Sequence, residues 1–104
     1  MQPNILFFLP DQHRPDWLGN NPDLPLRTPN LDRLAERGIQ FTRAFTPSPL
    51  CGPARACLAT GRDYEHCGVR DNHQNTPLSL PTYYRRLRDT GYNVCGVGKF
   101  DLHK

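Results

Sequence analysis

Asn4-Ile5-Leu6-Phe7-Phe8-Leu9 is an unbroken apolar run of strand length, and Pro10 stops it. A run apolar on both faces suits a strand of a parallel sheet, which needs further strands beside it. Two more candidates follow. One comprises Ile39, Phe41 and Ala44-Phe45, broken by Thr46-Pro47-Ser48-Pro49; the other is Asn93-Val94-Cys95-Gly96-Val97. Helical patterns lie between them. Thr28 is placed to cap a helix with Pro29 in its first position, Leu31, Leu34 and Ala35 on one face, and Gly38 as its stop. A second helix is predicted from Pro53 to Thr60, ended by Gly61. A third is capped by Ser79 or Thr82 and runs through Leu87, with Gly91 beyond it. The order strand, helix, strand, helix, helix, strand predicts an α/β fold, a doubly wound sheet with helices on both faces. Sites in such sheets form beyond the carboxyl ends of strands, where Asp11 and Lys99 fall.

Composition suggests that this sheet is incomplete. The chain has 104 residues, one small domain's worth, and 11 of them are proline. That is about twice the usual ~5%. Val and Ile together number only five. The expectation is the first part of a larger α/β protein. Thirteen Lys and Arg against ten Asp and Glu are scattered along the chain, which argues against nucleic acid or a membrane surface as partner. No apolar run approaches the ~20 residues of a bilayer span, and no secretory signal is evident. If Met1 is the true start, a cytoplasmic protein is expected. The four cysteines are too sparse for a disulfide scaffold, and without a CxxC pair a structural zinc site is not expected. Reduced thiols are the default.

Cys51-Gly52-Pro53-Ala54-Arg55-Ala56-Cys57-Leu58-Ala59-Thr60-Gly61-Arg62 is the most informative segment. Cys51 is read as sitting just before a helix that starts near Pro53. Unpaired N–H donors at a helix start favour a thiolate and welcome an anion. Arg55, one turn on, can reach back to position 51. A reactive cysteine in a small anion site is one reading, and a buried structural cysteine is the other.

Cys51-x-Pro53-x-Arg55 followed by Thr60-Gly61-Arg62 resembles the signature of the type I sulfatases of the alkaline phosphatase superfamily. Three further elements resemble that family in order. They are Pro3-Asn4-Ile5-Leu6 with Asp11, the Thr28-Pro29-Asn30-Leu31-Asp32-Arg33-Leu34-Ala35 helix, and Gly91-Tyr92 with Gly98-Lys99. The resemblance implies that residues 1–104 are the amino-terminal portion of a sulfatase catalytic domain, on an alkaline-phosphatase-like sheet.

It further implies that a formylglycine-generating enzyme converts Cys51 to formylglycine, whose hydrate attacks the sulfur of a small-molecule sulfate ester while held on a divalent cation. Ca²⁺ is the expected ion, with Mg²⁺ or Mn²⁺ as alternatives. Asp11, Gln12 and the modified Cys51 would be metal ligands. Arg55 would stabilise the oxyanion, Lys99 would bind a sulfate oxygen, and His13 would contact substrate.

The sequence also departs from the pattern. Gln12 stands where a second acidic residue is usual, as in the choline-sulfatase and phosphonate monoester hydrolase branches. Asp101 stands where the family commonly has histidine, and His103 is expected to take over its catalytic contact. His66 resembles a recurrent family histidine, but Cys67 replaces the glycine after it, and a structural role is preferred. The remaining metal ligands would lie beyond residue 104, so this chain alone is expected to be inactive. The competing readings are a phosphonate monoester or phosphodiester hydrolase with the same nucleophile, and a catalytically silent truncated module.

Overall fold

The computed structural model describes residues 2–103. The chain divides into two compact units, one reaching to Arg43 and one beginning at Ala44.

The first unit carries one helix, α1, Pro29–Arg37. Pro29 begins it and Thr28 precedes it, as expected, but Thr28 works differently from a usual cap. Its hydroxyl donates to Asp32 Oδ1 at 2.9 Å and accepts from the Gly19 N–H at 2.7 Å. Thr28 therefore ties the preceding loop to α1. That loop is a series of turns. Asn21 donates its side-chain amide to Asp16 O at 2.7 Å, and Arg14 pairs with Asp16 through Nε and Nη2. No residue of α1 is buried.

The second unit holds α2, Cys51–Thr60, and α3, Tyr83–Asp89, which pack against each other. Ser48, buried in the loop before α2, accepts from the Leu50 N–H at 3.1 Å and sets the helix entry. Gly61 closes α2 in the left-handed conformation, its N–H bonding Cys57 O at 2.8 Å. Thr82 caps α3 by accepting from the Arg85 N–H at 3.3 Å. The core is small. Ala56 and Cys57 of α2 meet Cys67 and Val69 from the following turn, and Tyr64 packs against them. Arg70 roofs this cluster: its guanidinium lies 4.9 Å from the Tyr64 ring centre and donates to the carbonyls of Tyr64 and Glu65.

The three predicted strands do not form: among the described residues there is no strand. The doubly wound sheet expected from the element order is thus not assembled in this chain. A strand exists through its ladder, and an unaccompanied extended segment has too few hydrogen bonds to hold it in water. The apolar residues meant for the sheet are exposed instead. Leu6 is 93%, Phe45 90% and Val97 100% accessible. Among the described residues no helix is long and apolar enough to cross a membrane.

Candidate active site around Cys51 and Arg55

Cys51 is the first residue of α2 rather than the residue before it. This changes the local chemistry. Of the first-turn amides, Gly52 N–H donates to Asn72 Oδ1 at 2.8 Å, Pro53 has none, and Ala54 N–H returns to Leu50 O at 3.1 Å. The anion cradle expected from unpaired donors is therefore not built from these amides. The loop at residues 71–72 occupies that end of the helix. Gly52 permits this: a Cβ there would lie 3.0 Å from Asp71 O and 3.2 Å from Asn72 Oδ1. Cys51 itself is half-buried.

Arg55 points from the next turn of α2 toward the carboxyl-terminal segment. Its Nη1 donates to Lys99 O at 2.6 Å. Lys99 Nζ lies 3.3 Å from Asp101 Oδ2, so Asp101 turns to the lysine. Gly98 makes the approach to Lys99, at a φ of 102° that side chains rarely adopt. Asp101 has a φ of 51°, also left-handed. Residues 99, 101 and 103 therefore do not share one face of an extended chain, as a His103 that simply replaced position 101 beside Lys99 would require. His103 lines a cavity of about 160 Å³ with Thr76, Leu80, Thr82, Arg85 and Leu102, whose wall includes none of Cys51, Arg55 and Lys99.

Asp11, Gln12 and His13 lie in the first unit and are exposed. Gln12 has a φ of 57°; with Asp101 it is one of two non-glycine residues recorded with positive φ among the described residues. Such outliers collect at functional segments. The Asp11 carboxylate and the Gln12 amide are hard oxygen donors of the kind Ca²⁺ takes. Among the described residues no three His, Cys, Asp or Glu side chains gather to hold an ion. Asp11 and Gln12 thus fit part of a cation site, and further ligands must complete it.

His66 Nδ1 lies 2.5 Å from Asp63 Oδ1, and this contact holds the Asp63 carboxyl below the usual carboxylate range. Burial, then the neighbouring Cys67 thiol, pushes Cys57 up to about 11. Burial, then Tyr84, also raises the Tyr83 phenol. Asn72 was not singled out by sequence reasoning. The available signal was weak: an Asp-Asn pair in a loop offers two short side chains suited to backbone donors.

The Sulfatase family profile matches residues 3–104. An uncharacterized sulfatase of Escherichia coli, YidJ, is 39% identical over 97% of this chain and 20% of its own length. The N-acetylglucosamine-6-O-sulfatase of Bacteroides thetaiotaomicron is 33% identical over 97% of the chain and 18% of its own length. The choline-sulfatase of Rhizobium meliloti is 39% identical over 94% of the chain and 19% of its own length. The chain thus spans about a fifth of these relatives. No solved structure matches it. The family implies an alkaline-phosphatase-like α/β fold, of which the described residues show helices only. With the four sequence elements in order and the profile covering nearly every residue, the chain belongs to the sulfatase family.

Proposed function

We propose that this chain is the amino-terminal part of a sulfatase that hydrolyses a small-molecule sulfate ester, with Cys51 as the precursor of its nucleophile. The observation that carries the reading is the helix α2 arrangement: Cys51 opens the helix, Pro53 and Arg55 follow at the motif's spacing, and Arg55 reaches Lys99. Modified to formylglycine by its generating enzyme, position 51 supplies a hydrated aldehyde as nucleophile. A divalent cation, most simply Ca²⁺, would lower the pKa of that nucleophile and offset sulfate charge. Asp11 and Gln12 would hold the ion through their oxygens.

Arg55 brings a fixed positive charge beside the developing oxyanion. Lys99 binds a sulfate oxygen as a point charge. Asp101, paired with Lys99, restrains that side chain. On the family resemblance, His103 would exchange a proton with the reacting oxygens once the rest of the protein brings it from its present cavity to position 51, and His13 would contact the substrate.

The test uses the complete protein expressed with the formylglycine-generating enzyme, with and without Ca²⁺, on an aryl sulfate. Release of sulfate that is lost in Cys51→Ala, together with an aldehyde at position 51 by peptide mass spectrometry, supports the proposal. An active enzyme whose Cys51 stays a thiol overturns it. Within the same assay, His103→Ala should cut the rate by roughly 10² to 10⁴, while Asp101→Asn should cost far less. The reverse order would make Asp101 the working residue.

A further inference from the structure

Two of the four cysteines meet in the core of the second unit, away from Cys51. Cys57 near the end of α2 is 4% accessible, and Cys67 in the following turn is fully buried. They share a cluster with Ala56 and Val69. Backbone bonds hold both positions against one turn. The Gly61 N–H bonds Cys57 O at 2.8 Å, and the Cys67 N–H bonds Asp63 O at 3.0 Å. The Cys67 thiol reaches Val69 O at 3.3 Å and Tyr64 O at 3.4 Å, which restrains its position. Cys95 is exposed and Cys51 half-buried, and neither belongs to this cluster.

We propose that Cys57 and Cys67 form a redox modification site, a dithiol that a small-molecule disulfide converts to a cross-link between α2 and the turn after it. One of the two thiolates attacks a sulfur of the small disulfide. A mixed disulfide forms and one small thiolate leaves. The second cysteine thiolate attacks the protein sulfur of that mixed disulfide and expels the other small thiolate. The protein gives up two protons and two electrons, and the small disulfide becomes two thiols.

The short chain between the cysteines keeps the second thiol close once the first has reacted. Burial makes the first attack slow, because the reagent enters only when the turn opens locally. It also shields the finished bond from reduction. The cross-link would staple the carboxyl-terminal half of α2, while leaving Cys51 at the other end for its own modification.

The test incubates the folded chain with oxidised glutathione, quenches with acid, alkylates free thiols and maps the peptides. The expected product is a Cys57–Cys67 linked peptide, two hydrogens lighter than the dithiol, with glutathione confined to Cys95 and Cys51. A Cys51→Ser/Cys95→Ser double variant keeps the buried pair. Its thermal midpoint should rise on oxidation and return with dithiothreitol. Cys57 and Cys67 both remaining thiols while Cys95 is glutathionylated, either of them linked to Cys51 or Cys95, or a lowered midpoint would each overturn the proposal.

Discussion

Arg55 Nη1 donates to the backbone carbonyl of Lys99 at 2.6 Å, across 44 residues of sequence. The bond joins the helix that opens with Cys51 to the segment carrying the lysine. It gives Arg55 a second duty beyond charge, because the guanidinium also holds the backbone at Lys99. In the complete enzyme, Arg55→Ala should lower kcat/KM on an aryl sulfate by about 10² to 10³, the usual cost of an oxyanion donor. Arg55→Lys should recover little of this, since an ammonium cannot span the carbonyl and an oxyanion with a rigid fork. Full activity in Arg55→Lys would mean that only a point charge is required there.

Asp101 joins a left-handed backbone, φ 51°, to an ion pair with Lys99 at 3.3 Å. The two features oppose each other on substitution. Asp101→Gly relieves the backbone and loses the pair, and a half-exposed pair contributes about 0–1 kcal/mol. Its stability should stay near that of the parent. Asp101→Val loses the pair and places a β-branched residue in a conformation that costs about 1–2 kcal/mol. Urea unfolding should therefore rank valine well below glycine. Equal midpoints would show that position 101 does not hold its positive φ in solution.

Much of the helical structure could be read in the sequence, and the sheet could not. Pro29, Gly61 and Thr82 marked helix ends because a first-turn proline, left-handed closure and side-chain capping are local properties. The run Ile5–Leu9 was legible as apolar and strand-like, but pairing is not local. With no ladder among the described residues, Leu6 and Phe8 are 93% and 76% accessible. Around the site, the Cys51, Pro53, Arg55 spacing located α2 to within two residues of its start. The Asn72 contact to Gly52 and the Asp101 turn toward Lys99 were hidden, because both depend on how distant loops fold back.

Asp63 is held below its ordinary pKa chiefly by the bond from His66. A carboxylate depressed in the folded state adds stability that is present above its unfolded pKa. That stability is lost as pH falls through the lower, folded value. Carboxyl NMR should find Asp63 titrating below the usual ~3.9 of a free aspartate. His66→Ala should bring its midpoint back up toward that value. Both side chains are well exposed, so raised salt should weaken the effect. An Asp63 midpoint indifferent to His66→Ala would remove the pair from the folded state.

The contact between Gly52 N–H and Asn72 Oδ1, at 2.8 Å, replaces the open helix start that the motif suggested. It satisfies a donor that α2 would otherwise leave without a helical partner. Asn72→Ala should destabilise the chain by about 1 kcal/mol, the typical value of a helix-start acceptor. Asn72→Asp should be tolerated better, because a carboxylate accepts the same bond and complements the positive end of the helix dipole. Gly52→Ala acts on the other partner. Its new Cβ would sit 3.0 Å from Asp71 O and 3.2 Å from Asn72 Oδ1, forcing the 71–72 loop away. If both substitutions act through this one contact, their effects in urea unfolding will fall short of additive in the double variant. Strict additivity would mean that the loop does not rest on the start of α2, and the first-turn amide beside Cys51 would then be open to an anion after all.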